Sequence, residues 1–240
     1  MKYSFITNKY EESSDIVDEL LNILKNTDFK KDQNNPDICF VIGGDGTFLY
    51  AVHKYQSILD KLIFIPIKFG GIGFYTNKNR VDDLKKIDLN KIIEQPNITE
   101  LGLIEVNYDD QKVYAINEIK ITNQVRPLGS TGFMKSANGA IIYPVVSLFE
   151  MQELMPISTN KFRTLNAPII FSDNEHITLK LEDLNNVTLS ADTYEYQFKN
   201  KELLIKLSRK KIKLLNLNKD KFNKIKILRD IFVLNDKTKN

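Results

Sequence analysis

The sequence is short of the residues that several whole classes of protein require. It has one cysteine in 240 residues, Cys39, so neither a disulfide framework nor a Cys/His metal cluster can be built from it. Cys39 lies inside an apolar run and reads as a small buried hydrophobe. No stretch reaches the ~18 consecutive apolar residues of a membrane-spanning helix. Met1 leads straight into a strand-like run rather than a basic segment followed by a long apolar one, so no export signal is expected. These absences point to a cytoplasmic chain with no membrane partner. A surplus of one charge is missing too, since 34 basic and 31 acidic residues leave a net charge of +3. Much of the basic excess is lysine near the C-terminus, and nucleic acid is not an expected partner. There is no internal repeat and no low-complexity segment.

What remains is the composition of an ordinary globular protein, 42% apolar and 27% charged, in a chain long enough for one large domain or two small ones. Residues 3–7, 38–42 and 62–67 read as strands, and residues 16–25, 47–55 and 81–93 carry apolar residues at helical spacing. Strands alternating with helices predict an α/β N-terminal domain with a mostly parallel sheet over residues 1–95. His53 falls on the 47–55 helix and reads as a structural histidine. The pattern changes near Pro96. Residues 101–106 and 113–116 flank Asp109-Asp110 and read as a β-hairpin. Short strand signals follow at 140–143, 168–171, 177–181, 187–190 and 203–207. They predict a β-rich C-terminal domain over residues 96–219. Residues 220–240, with a helix or strand at 221–232, are expected to pack back on the first domain.

The chain is organised around residues 41–49, Val-Ile-Gly-Gly-Asp-Gly-Thr-Phe-Leu. An apolar strand breaks into Gly43-Gly44-Asp45-Gly46, and Thr47 opens a helical pattern. Glycines at a strand-to-helix turn let the backbone approach a ligand and offer N–H groups to an anion. Unlike a P-loop, this turn has no lysine and holds a carboxylate. Asp45 would repel phosphate, so it suits taking a proton or hydrogen bond from a substrate hydroxyl, or holding a metal ion. That is the chemistry of phosphoryl transfer to an alcohol. The same residues also fit a tight turn in which Asp45 helps to cap the helix.

Three further stretches carry candidate chemistry. Gly70-Gly71-Ile72-Gly73-Phe74 follows the third strand, and could bring backbone near a phosphate and Phe74 beside a ring, or form a plain turn. Asn117-Glu118 offers an amide and a carboxylate, which suit ribose hydroxyls. Neighbours on a strand face opposite ways, so both can reach one ligand only where the strand ends or bulges. Residues 127–140 crowd small and hydroxylic side chains between glycines, as a surface loop or a base- and ribose-contacting loop would.

Together the four stretches resemble the NAD kinase family. Gly43-Gly44-Asp45-Gly46-Thr47 matches its Gly-Gly-Asp-Gly-Thr motif, Gly70 to Phe74 its Gly-x-Leu-Gly-Phe loop, and Asn117-Glu118 its Asn-Glu pair. Gly129 to Ala140 matches, with changes, its Thr-Gly-Ser-Thr-Ala-Tyr…Gly-Gly loop, and Asp192 is similar to its later strand aspartate. The resemblance implies transfer of the ATP γ-phosphate to the adenosine ribose 2′-hydroxyl of NAD, giving NADP, with a divalent cation such as Mg²⁺. It implies Asp45 as the group that takes the hydroxyl proton. It places Gly44, Gly46, Thr47, Leu49, Phe74, Asn117, Glu118, Thr131, Gly132, Phe133, Ser136, Met155 and Asp192 at the nucleotide sites, and assigns no metal ligand. It also implies a homotetramer in which the stretch around Met155 reaches a neighbouring subunit's site.

The sequence departs from the family's pattern in one region. Ten residues, Ile119 to Leu128, separate Glu118 from Gly129, where the family has a further strand pair and a Gly-Asp-Gly loop. Leu128 replaces a threonine, Gly132-Phe133 replaces Ala-Tyr, and Asn138 replaces a glycine. Two other readings stay open on residues alone. One is a nucleotide-binding protein of this fold that does not catalyse, and the other is a lipid or sugar kinase sharing just the Gly-Gly-Asp-Gly turn.

Overall fold

The computed structural model describes residues 1–8, 12–68, 73–76, 79–86, 88–122, 139, 146–154, 156, 158–160 and 163–217, without the side chains of 12, 13 and 92. The strand expected at 140–143, the closing segment at 221–232, and Thr131, Gly132, Phe133, Ser136 and Met155 lie outside these residues. The chain divides into two units, Met1–Glu100 with Ile212–Asn240, and Leu101–Lys211. The elements of the first unit are β1 (Lys2–Thr7), α1 (Glu12–Leu24), β2 (Lys30–Lys31), β3 (Ile38–Gly43), α2 (Asp45–Lys54), β4 (Ile63–Lys68), α3 (Val81–Lys85), α4 (Leu89–Glu94) and β5 (Ile98–Leu101). The second unit holds β6 (Ile104–Tyr108), β7 (Gln111–Ala115), β8 (Ile119–Thr122), β9 (Leu148–Met151), β10 (Ile169–Ser172), β11 (His176–Lys180), β12 (Thr188–Ala191), β13 (Tyr194–Tyr196) and β14 (Glu202–Leu207). The chain then re-enters the first unit as β15 (Ile212–Leu215).

In the first unit a six-stranded sheet runs β2-β1-β3-β4-β15-β5. The pairings β2–β1, β1–β3, β3–β4 and β4–β15 are all parallel. A parallel strand covered on both faces reads as an unbroken apolar run. Ile38, Cys39, Phe40, Val41 and Ile42 are accordingly all buried, Cys39 included. Tyr3, Ile38, Phe40, Ile42, Ile65 and Ile67 on one face pack with Leu20 and Leu24 of α1, Leu84 of α3 and Leu89 of α4. On the other face Phe48 of α2 meets Phe64 of β4 edge-on, with ring centres 5.6 Å apart. The helix expected over 81–93 is two helices, because Asp88 accepts the N–H of Asn90 at 3.0 Å and caps a fresh start.

Pro66 sits inside β4, a strand with neighbours on both sides, where proline is normally excluded. The register explains it. β15 pairs with β4 at Ile63 and Phe64, short of Pro66. Buried Asn79 takes over there, donating through Nδ2 to the carbonyls of Pro66 (2.9 Å) and Leu215 (3.1 Å) and accepting the N–H of Leu217 at 3.0 Å. The N–H that Pro66 lacks would point where its carbonyl points, toward this side chain rather than into a strand ladder.

Thr7 lies opposite Ile42 and Gly43 opposite Lys68. β3 and β4 therefore end side by side, at the carboxyl edge where α/β sheets bind ligands.

The second unit contains antiparallel sheets in the orders β11-β14-β6-β7, β13-β12-β8 and β10-β9. Val106, Tyr108, Val113, Ala115, Leu189, Ala191 and Leu203 form its core. Asp109 and Asp110 make the expected two-residue hairpin turn with φ of 46° and 61°, the pair of positive values that suits strand twist. The Asp109 carboxylate then accepts the N–H groups of Lys199 (2.6 Å) and Asn200 (2.7 Å). Strands β2, β5, β8, β9, β13 and β15 are additions to the sequence expectation, the strand expected at 101–106 being β6. Ile212–Leu215, within the range expected for the second domain, is a strand of the first sheet.

Candidate active site

The first cluster of candidate residues belongs to the first unit. At Gly43 the backbone turns with φ of 152°, and a Cβ there would run into the side chain of Thr47. Gly44 is the N-cap of α2, extended and unable to cap with a side chain, and Asp45 is the first helical residue. Thr47 and Phe48 donate to the carbonyl of Gly44 at 3.0 and 3.2 Å. The N–H groups of Asp45 and Gly46 then point off the end of the helix, as those of a first turn do. Asp45 does not cap its own helix. Its Oδ2 accepts the N–H of Phe74 at 2.7 Å and its Oδ1 the N–H of Tyr75 at 2.9 Å. One carboxylate thus joins the two glycine stretches.

The glycines divide by what surrounds them. A Cβ on Gly73 would come within 2.8 Å of Asp45 Oδ1 and against the Thr76 hydroxyl, so glycine is required for the carboxylate to reach past it. Among the described residues, a Cβ on Gly44 or on Gly46 would meet nothing within 4 Å. Packing among the described residues gives no reason for glycine at those two positions. Leu49 is buried, and Phe48 beside it stacks on Tyr75 at 5.1 Å, so both fasten the helix start and the loop into the core. The motif reading included Gly73 without this role and stopped one residue short of Tyr75, because both roles depend on the reach of Asp45.

The second cluster belongs to the second unit. β7 ends at Ala115 and β8 starts at Ile119, so Asn117 and Glu118 occupy the kind of strand end their pairing requires. Asp192 directly follows β12, with φ of 52° and a fully buried side chain. Its Oδ2 accepts the N–H of Ile116 at 3.0 Å, and its Oδ1 those of Asn117 (2.8 Å) and Glu118 (3.4 Å). The N–H of Asp192 donates in return to the carbonyl of Glu118 at 2.9 Å. Glu118 is 5% exposed, and Lys120 Nζ, also buried, lies 3.8 Å from its Oε1. Lys120 was missed in the sequence, although a residue two further along a strand edge returns to the same side.

Burial pushes the Glu118 carboxyl up to about 7; Lys120 opposes the rise and Asp192 adds to it. A carboxyl raised on folding stabilises the fold below its unfolded value and loses that contribution as pH climbs through its folded value. The window for Glu118 runs from 4.5 to about 7. Glu118→Gln removes this titration. The variant is expected to gain up to about 3 kcal/mol on the parent between pH 4.5 and 8, at 1.36 kcal/mol per unit. Urea unfolding of both proteins at the two pH values checks this, and a stability difference that does not change with pH would refute it.

A family model, the ATP-NAD kinase C-terminal domain, matches residues 90–217. The NAD kinase of Lactobacillus gasseri is 30% identical over 229 aligned residues, covering 83% of this chain and 85% of that protein. The chain belongs to the NAD kinase family. Two solved structures share its fold at lower identity. A yeast NADH kinase crystallised with NADH superposes with a TM-score of 0.73 at 16% identity, covering 100% of this chain and 89% of that one. An NAD kinase from Archaeoglobus fulgidus in complex with ATP gives 0.68 at 19% identity, covering 97% of each chain. The α/β unit followed by a β-rich unit is therefore an NAD kinase fold, as the four motifs implied.

Among the described residues, no three His, Cys, Asp or Glu side chains group as metal ligands would. Asp45, the acid nearest the turn, gives both oxygens to backbone N–H groups. No helix of the described residues is long and apolar enough to cross a membrane.

Proposed function

We propose that the chain phosphorylates NAD at the adenosine ribose 2′-hydroxyl, using ATP with its Mg²⁺ ion, and that Asp45 takes the hydroxyl proton. The observation that carries this reading is the setting of Asp45. It stands at the start of α2, at the carboxyl edge of the sheet, held from two sides by the N–H groups of Phe74 and Tyr75. An ionised carboxylate has about four acceptor positions, so two such bonds leave capacity for a substrate hydroxyl. In the reaction the 2′-oxygen bonds to the γ-phosphorus as the bond to the ADP oxygen breaks, and the hydroxyl proton passes to Asp45 and on to solvent. The transition state is loose, so the protein's task is mainly positioning and charge stabilisation rather than strong basicity. N–H groups at the start of α2 suit the phosphates. Asn117 and Glu118 suit the ribose hydroxyls, the amide donating and the carboxyl accepting. Thr131, Gly132, Phe133, Ser136 and Met155 are assigned to the nucleotide sites by their motif positions. A cytoplasmic homotetramer is the assembly we assign.

The test is direct. Purified chain is incubated with NAD, ATP and MgCl₂, and NADP is measured with an NADP-specific dehydrogenase. NADP that depends on both substrates is the expected result. NAD binding by calorimetry with no NADP formed, from ATP or from polyphosphate, would overturn the kinase reading.

A further inference from the structure

We infer that Asp192 is a positioning residue that sets the direction of Asn117 and Glu118 rather than touching nucleotide itself. The inference rests on the reading of that pair as substrate-binding. Residues 116–118 lie between β7 and β8 and need some other partner for their N–H groups. Three successive N–H groups aimed one way form a nest, a concavity that binds an anion. Here the anion is the chain's own carboxylate. Asp192 fills the nest with bonds of 3.0, 2.8 and 3.4 Å, from 76, 75 and 74 residues away in sequence.

Two further features make the arrangement specific. The Asp192 N–H closes a reciprocal bond to the Glu118 carbonyl at 2.9 Å, fixing the peptide that follows the pair. That bond directly extends the β12–β8 ladder, in which Ala191 lies opposite Ile119. Asp192 also holds a left-handed backbone with φ of 52°, a conformation that aspartate, asparagine and glycine tolerate and most residues do not. Its side chain has 0% exposure, so its effect on a substrate passes through the peptides it grips. The direction in which Asn117 and Glu118 leave the backbone is set by the φ and ψ of those peptides. Loosening the nest therefore acts on whatever the pair binds.

Two substitutions separate positioning from simple structural support. Asp192→Asn keeps shape and backbone preference, but turns an amide NH₂ toward backbone N–H groups. Asp192→Gly keeps the left-handed backbone without strain and removes the side chain. Each is compared with the parent for NAD affinity by calorimetry, for KM of NAD and of ATP, and for amide hydrogen exchange at residues 116–118. Both variants are expected to bind NAD at least about tenfold more weakly, with the KM for ATP within about threefold. Exchange should speed up at Ile116, Asn117 and Glu118 ahead of the rest of the sheet. In a Glu118→Ala, Asn117→Ala background Asp192→Asn should add less than about threefold, because residues acting through one another are not additive. Equal losses for NAD and ATP, full additivity, unchanged exchange at residues 116–118, or failure of both variants to fold would each overturn the proposal. A parent protein that binds no NAD would remove the substrate reading of the pair, and the exchange measurement would still decide whether Asp192 holds the turn.

Discussion

Asp45→Asn should lower the rate of NADP formation by about a thousandfold, within the range that a positioned proton acceptor contributes. The substitution is nearly isosteric, yet the structure makes it far from conservative. Asp45 accepts one backbone N–H on each oxygen, from Phe74 at 2.7 Å and Tyr75 at 2.9 Å. Asparagine has one acceptor oxygen, and its NH₂ would face the other N–H as donor against donor. One of the two bonds is lost, and an unpaired buried donor costs about 1–3 kcal/mol. The amide cannot take a proton from the substrate either. Two effects therefore combine: loss of the proton acceptor, and loosening of the loop at Gly73 to Tyr75. They separate on measurement. Loosening lowers the midpoint of urea unfolding, whereas loss of the acceptor lowers kcat and leaves NAD binding by calorimetry within about tenfold. A variant that makes NADP within tenfold of the parent rate would remove Asp45 from the chemistry.

Much of the site was legible because its signals are local. A strand of Ile, Cys, Phe, Val and Ile that stops at three glycines announces a buried parallel strand and a strand-to-helix turn within nine residues, 38–46. The Asp109-Asp110 turn was legible for the same reason, since two adjacent residues and their flanking strands decide it. The parts that escaped depend on partners distant in sequence. Asp45 offered two local uses, capping a helix or meeting a ligand, and the structure adds a third, 29 and 30 residues away at Phe74 and Tyr75. Asp192 was read through a family motif as a nucleotide contact. Its carboxylate accepts peptide N–H groups some 75 residues earlier, and no spacing in the sequence reports that. Ile212–Leu215 is four residues long, and it is a strand because Ile63 and Phe64 present an unpaired edge to Lys213 and Leu214. The 81–93 helix was read as one element because its apolar spacing runs on. Asp88 breaks it by offering an N-cap, a competition between side chain and ladder that periodicity does not see.

Gly46→Ala and Gly73→Ala should fail for opposite reasons, and the contrast tests whether the turn is built for a ligand or for the fold. Gly73 has neighbours that leave no room: a methyl group there would crowd Asp45 Oδ1 at 2.8 Å and the Thr76 hydroxyl. The loop must shift, at about 1–3 kcal/mol for an overpacked site. The shift breaks the bonds to Phe74 and Tyr75, so activity and stability fall together. Gly46 is the second residue of α2, has no left-handed φ, and has nothing among the described residues within 4 Å of where a Cβ would stand. By fold alone alanine is the better residue, worth some part of the roughly 1 kcal/mol that separates it from glycine in a helix interior. Gly46→Ala is therefore expected to unfold at equal or higher urea concentration than the parent. The same methyl group would stand over the first-turn N–H groups proposed to receive phosphate, and a displacement of about 1 Å there costs on the order of a hundredfold in rate. A variant more stable than its parent and a hundredfold slower would show that this glycine serves the substrate, since packing among the described residues gives it no other reason to be there. If Gly46→Ala retains full activity, the phosphates do not lie over the start of α2, and the Gly-Gly-Asp-Gly turn is instead a device for bringing Asp45 to the second glycine loop.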